Sequence, residues 1–290
     1  AFMVAILSAG QVGAISVCFG DTAIFQGEIV VTAQRLAVSN FKNPGITVVL
    51  DSNYLRRKPL RTVPESLLNT PGVFVQKTNH GGGSPFIRGL TGQQILMLVD
   101  GIRLNNAAFR SGPNQYLNAL DPAWTGRIET LLGSGSVEYG SDAIGGVVHV
   151  LTHEPELLAS GQAGAVWRPE ASFQWATGGM ETGAHAAINA SAARWAIRAE
   201  GAYRNFGDLI GGKGIGVQSP TGYRQWSYAF KAVAELSKGL RATFAWQDLE
   251  QPQVPVYHKV TLENFAFNNF NPQRRQLGYL RLSQKTASKW

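Results

Sequence analysis

Asp100, Ser141, Asp142 and His149 are the acid, nucleophile and base types that hydrolytic chemistry draws on. A working serine nucleophile needs a strained strand-to-helix elbow, and no such elbow surrounds Ser141. Asp100 stands in an Asp-Gly pair and Asp142 in a glycine-serine stretch, places where aspartate serves turns. His149 and His153, on one strand face, are about 13 Å apart at strand rise, too far for one metal ion. His80 precedes three glycines, but no Lys-Ser/Thr pair or helix start follows, so a phosphate cradle is excluded. The chemistry that remains is binding. Glu28, Ile29, Val30, Val31, Thr32 and Ala33 form an extended run whose backbone donors and acceptors can join a partner's sheet edge.

The elements that position these residues are densest over 64–152. Pro64 and Glu65 before Leu67 and Leu68 predict a short helix, since both suit a first helical turn. Residues 73–76 read as a strand leaving the Pro71-Gly72 turn, and 47–50 as another. Residues 95–99 form an apolar run ended by Asp100-Gly101, a strong hairpin signal, with Ile102 and Leu104 on the return strand. Residues 133–146 are rich in Gly and Ser, and 147–151 read as a buried strand. The whole predicts a small α+β domain stitched by glycine turns.

After Glu154 the pattern becomes one of alternating segments about ten residues long, the spacing of membrane strands. Trp195, Ile197, Ala199, Gly201 and Tyr203 share one face, and Arg194, Arg198, Glu200 and Arg204 the other. Trp226, Tyr228, Phe230, Ala232, Ala234 and Leu236 alternate with Gln225, Ser227, Lys231 and Glu235. Leu240, Ala242, Phe244 and Trp246 alternate with Arg241, Thr243 and Gln247. Residues 173–175 and 184–190 fit less sharply, and 276–283 poorly. A soluble sandwich also alternates. The wholly apolar face and the aromatic residues near strand ends favour a transmembrane β-barrel. Lys238-Gly239 predicts a tight periplasmic turn, and 205–220 and 248–272 predict outer loops. Only 16% of the 290 residues are charged, below the usual quarter of soluble proteins, and the net charge of +7 is scattered singly along strands. A nucleic-acid partner is therefore not expected. Residues 2–19 are apolar and resemble the core of a secretory signal peptide. The single cysteine, Cys18, gives no disulfide framework.

IRG at 87–89, LVDGIRLN at 98–105, RIE at 127–129 and SVEYGSDAIGGVVHVLT at 136–152 together resemble the plug domain of TonB-dependent outer-membrane receptors. Gly133-Ser134 replaces the family's usual Gly-Pro. The resemblance implies a signal-peptide remnant over 1–26, a TonB box and linker over 27–43, a plug over 44–154 and the first barrel strands over 155–290. Residues 28–33 become the TonB box, bound by the TonB energy-transducing protein. Asn79, His80, Asn105, Asn106, Phe109 and Arg110, on two outer-facing loops, become candidates for ligand binding. Arg88 and Arg103 are placed to pair with lumen-facing residues, and Arg127 with Glu129. GGGSPFIRG with NNAAFRSG resembles the haem and haemoprotein receptor branch, although Pro113 stands where relatives often carry histidine. The implied function is import of an iron carrier, haem or haemoprotein ahead of siderophore, across the bacterial outer membrane. Cobalamin import and a non-transporting surface binding protein are the alternatives. No catalytic residue, resident cofactor or metal is expected; haem or a ferric chelate enters only as cargo. The family's barrel has roughly 22 strands, so the resemblance implies that strands continue past Trp290.

Overall fold

The computed structural model describes residues 13–18, 30–31, 38–39, 45–58, 60–106, 112–159 and 164–284, the first three segments and residues 78–79 by backbone alone. In chain order the strands begin with β1 (Gly13–Cys18), β2 (Val30–Val31), β3 (Val38–Ser39) and β4 (Thr47–Leu50). Helix α1 (Ser52–Arg57) and a 3-10 turn (Val63–Leu67) lead to β5 (Val73–Asn79), β6 (Gly82–Ile87), β7 (Ile95–Val99), β8 (Ile102–Arg103) and β9 (Thr125–Leu132). Helix α2 (Ser136–Tyr139) precedes β10 (Gly146–Thr152). Then come β11 (Val166–Ala176), β12 (Glu181–Ser191), β13 (Trp195–Phe206), β14 (Leu209–Ile210), β15 (Val217–Gln218), β16 (Tyr223–Ser237) and β17 (Leu240–Gln251). The last are β18 (Val254–Pro255), α3 (Tyr257–Thr261), β19 (Asn269–Phe270) and β20 (Gln273–Gln284). The chain divides into two compact units, Asp21–Glu154 and Ala1–Gly20 with Pro155–Trp290.

The first unit is built on a five-stranded mixed sheet, ordered β4-β9-β10-β7-β8. β10 runs parallel to β7 and antiparallel to β9. Every residue of β7 is buried, as are the first five of β10. A strand covered on both faces cannot alternate, which is why these segments read as continuous apolar runs. Leu96, Leu98, Leu131, Ala143 and Val147 form the core on one side, with Val49 and Tyr139 packed against it. The hairpin turn is of type I′, with Asp100 at φ +49° and Gly101 at φ +86°. The Asp100 carboxylate accepts from the Thr152 backbone N–H at 2.9 Å and from its hydroxyl at 2.6 Å, strapping the turn to the end of β10. The expected helix behind Pro64 is the 3-10 turn at Val63–Leu67.

The second unit is a seven-stranded antiparallel sheet, β1-β11-β12-β13-β16-β17-β20. Six of its strands are 11 to 15 residues long, enough to cross a bilayer when tilted. Its burial is inverted relative to a soluble protein. Arg198, Arg204, Gln225, Ser227, Lys231, Thr243 and Gln247 are buried, whereas Trp167, Phe173, Trp175, Trp195, Tyr203, Tyr228, Phe244 and Trp246 are exposed. An apolar face turned outward is stable only where the surroundings are themselves apolar. The weakly patterned segments at 184–190 and 276–283 are strands of the same sheet. Lys238-Gly239 is the tight turn expected. One short helix interrupts the strands after 154: α3 sits in the segment between β17 and β20.

The apolar segment whose sequence resembles a signal-peptide core contributes β1, paired antiparallel to β11 from Gly13 opposite Trp175 to Cys18 opposite Glu170. Ile15 and Val17 suit an extended backbone, and the edge of β11 offers unpaired donors and acceptors.

Candidate functional site

The residues singled out for binding fall into three settings. Within 28–33, Val30 and Val31 pair antiparallel with Ser39 and Val38, a two-residue local hairpin. Glu28, Ile29, Thr32 and Ala33 lie outside the described residues, as do Phe109 and Arg110.

The two candidate ligand loops are not equivalent. Asn79 ends β5 opposite Gly82. His80, in the turn that follows, has a fully buried side chain. An imidazole held inside the fold is not presented to a ligand arriving from solvent. Asn105 is also buried; its carboxamide accepts from the Met97 N–H and donates to the Ile95 carbonyl, each at 2.8 Å. It thereby substitutes for a strand neighbour at the end of β7, so its role is to hold the β7–β8 edge. Asn106 is exposed, and its backbone exchanges hydrogen bonds with the Tyr116 hydroxyl at 3.1 and 3.3 Å. Of the three candidates whose side chains are described, His80, Asn105 and Asn106, Asn106 is the exposed one.

The charged plug residues pair within their own unit. Arg127 Nε meets the buried Glu129 carboxylate at 2.9 Å along one face of β9, as its spacing suggests. Arg103 pairs with Asp142, so the charge expected to face a barrel wall is already matched by the glycine-serine segment. Arg88 occupies a positive-φ turn (+50°) with Gly89, closed by Ile87 and Leu90 through reciprocal backbone hydrogen bonds of 2.9 Å. Lys77 pairs with Glu65. Burial alone would raise the Glu65 pKa, but Lys77 and the Arg61 N–H hold its carboxyl below the ordinary range.

In the barrel unit, sequence reasoning missed a connected polar network on the buried face. Arg198 bridges Glu170 at 3.2 Å and Glu200 at 2.9 Å; Glu200 also meets His185 Nε2 at 3.1 Å, and Asn189 bonds both Glu170 and Arg198. Arg204 meets Glu181 at 3.2 Å and Gln174 at 3.3 Å. Each residue appears in the sequence as the polar half of an alternation. Their convergence depends on strand register, which places Asn189 opposite Arg198 and Glu170 opposite Ala187. Such a lining stays stable because each buried charge has a partner.

The outer segments are themselves ordered by local bonds. The Asp208 carboxylate accepts from the Thr221 and Gly222 backbone N–H groups at 2.7 and 2.8 Å, closing the β13–β16 segment at its base. Burial would raise its pKa, but these donors and the Ser219 hydroxyl hold it below the usual aspartate value. No cluster of His, Cys, Asp or Glu able to hold a metal occurs among the described residues.

A glycine-stitched mixed-sheet domain followed by antiparallel strands with an outward apolar face is the fold of a plug with part of its transmembrane β-barrel. Residues 39–147 match the family model of the TonB-dependent receptor plug domain. The chain is an outer-membrane protein. It is 33% identical over 162 residues to the vitamin B12 transporter BtuB of Vibrio vulnificus (strain CMCP6), a match covering 52% of this chain and 26% of that protein. Among solved structures, the siderophore receptor PirA from Acinetobacter baumannii superposes with a TM-score of 0.63 at 18% identity, over 89% of this chain and 40% of that one. The copper transporter OprC superposes with a TM-score of 0.65 at 16% identity, over 84% and 35%. These two likenesses carry the fold. The chain thus spans about a quarter of the curated relative and about two fifths of the structural ones.

Proposed function

We propose that this chain is the coupling segment, plug and first barrel strands of a TonB-dependent receptor that imports a bulky metal-bearing nutrient across the outer membrane. The observation that carries the reading is the plug domain at 39–147 preceding a sheet whose polar face is buried and whose apolar face is exposed. A wide barrel has a polar lumen that would leak unless filled, and a separate domain with its own core can fill it. Residues 28–33 act as the strand added to the TonB protein; main-chain hydrogen bonds loaded together resist pulling, as mechanical coupling requires. The cargo is an iron carrier. The buried His80 removes the imidazole that would favour haem, leaving a ferric siderophore as the better-supported member of that class. Cobalamin is the second reading, favoured by the 33% identity to a vitamin B12 transporter.

Deleting residues 28–33 from the whole receptor is expected to abolish uptake of radiolabelled cargo while leaving cargo binding to cells within about twofold. Ferric siderophore and cobalamin supplied separately identify the cargo. Undiminished uptake by the deletion strain would refute the coupling role.

A further inference from the structure

We infer that His149 is an acid-sensitive latch: its neutral imidazole holds the Asp100-Gly101 turn of the plug against β10, and a protonated one releases it. The latch belongs to the plug's own fold and is independent of the cargo. The Gly101 N–H lies in the turn, outside the β7–β8 ladder, and donates to His149 Nε2 at 2.9 Å. A backbone N–H can only donate. Nε2 must therefore present its lone pair, and the ring is neutral with its proton on Nδ1. Protonation at Nε2 would set one N–H against another and abolish the bond. His149 is 5% exposed, so water is poorly placed to replace the lost acceptor.

The corner that this bond secures has few other ties. β8 is a two-residue border strand, paired with β7 at Leu98–Arg103 and Val99–Ile102. The Asp100 carboxylate straps the turn to Thr152, three residues beyond His149 on the same strand. The charged form of the ring has its own place to go. Register puts Leu98, His149, Glu129 and Val49 in one row across β7, β10, β9 and β4. Glu129 is fully buried, and Arg127 meets it at 2.9 Å on the same face of β9. Directly opposed residues have Cβ atoms about 4.5–5.5 Å apart, so an imidazolium would have a carboxylate beside it, as a buried cation requires. The other charges around the row are Asp100 at the end of β7, and Arg103 on β8, which pairs with Asp142. The ring thus has two arrangements: neutral on Gly101, or charged and turned to Glu129. The second carries one more proton, so acid populates it and the latch is complete on the alkaline side. Imidazole makes this change between about pH 5 and 8, whereas carboxylates ordinarily titrate near about pH 4.

The test uses the whole receptor in mild detergent and hydrogen-exchange mass spectrometry that resolves the Gly101 amide, corrected for the intrinsic effect of pH on exchange. Protection of Gly101 is expected to fall about tenfold from pH 7.5 to pH 5.0, the loss of one hydrogen bond, while the Ile95–Val99 amides stay protected. In His149→Gln the carboxamide oxygen can still accept from Gly101 and does not titrate, so protection should be the same at both pH values. In His149→Leu, Gly101 should be as unprotected at pH 7.5 as wild type is at pH 5.0. The Ile95–Val99 amides report whether each variant is folded, and the leucine variant decides if the glutamine one is not. Wild-type protection that does not change with pH overturns the proposal. So does a pH response that persists in His149→Gln, which would assign it to Glu129 or Asp100, or a loss that includes Ile95–Val99, which would be general unfolding.

Discussion

Replacing Phe244 by arginine is expected to destabilise the barrel unit by about 2–4 kcal/mol, the cost of a cation near the bilayer midplane on a lipid-facing strand. Phe244 lies midway along β17, is 45% exposed, and packs against Phe230 with ring centroids 6.1 Å apart. Its neighbour Thr243 is 1% exposed on the opposite face. In a water-soluble sheet with this burial the order would reverse: arginine at the exposed Phe244 would be harmless, and the buried position sensitive. Urea titration of the receptor refolded into phosphatidylcholine bilayers measures the effect. A Phe244→Arg variant as stable as wild type there would mean that this face does not meet lipid.

The second large effect belongs to the plug. Gly146 opens β10 at φ +154°, and a Cβ there would stand 2.5 Å from the Leu131 carbonyl oxygen and 2.9 Å from Ile87 Cδ1. Neither obstacle is the end of a flexible polar chain: one is backbone of the adjoining strand, the other a fully buried core methyl. Backbone strain of about 1–3 kcal/mol adds to overpacking of similar size, so Gly146→Ala should cost roughly 2–6 kcal/mol. Gly101→Ala separates the two contributions. Gly101 also has positive φ (+86°), but nothing lies within 4 Å of its would-be Cβ, so that change should cost about 1–2 kcal/mol. Limited proteolysis in a urea series ranks the two. Equal losses would show that the approach of β9 to β10 is looser than the distances indicate.

The plug was the more legible half of the sequence because its signals are local. Asp100-Gly101 determines its turn from two residues, and the runs at 47–50 and 95–99 coincide with β4 and β7. The barrel strands were legible in proportion to how cleanly their faces separate. β20 was obscured because its outward row mixes Arg274 and Gln276 with Leu280 and Leu282, while Leu277 and Tyr279 lie on the other face. Arg274 is tolerated outward because it reaches Asp248 at 2.7 Å beside the outer loops. The site was legible only in outline. Nothing local distinguishes an asparagine that closes a strand end, such as Asn105, from one offered to a ligand. The Glu170–Arg198–Glu200 network joins residues up to 30 positions apart, and only strand register brings them together.

The position of β4 has a mechanical corollary. It is the border strand of the five-stranded plug sheet, held to β9 over four residues, and it is that sheet's first strand downstream of 28–33 and of the small β2–β3 hairpin. A tug on the amino-terminal segment would load this short ladder before reaching the twin-covered β7–β10 seam. Single-molecule pulling on the whole receptor should therefore register a first rupture releasing the chain up to about α1; a first event freeing β7 would contradict it. Built this way, the plug sheet yields first at its border strand while its doubly covered centre keeps its shape.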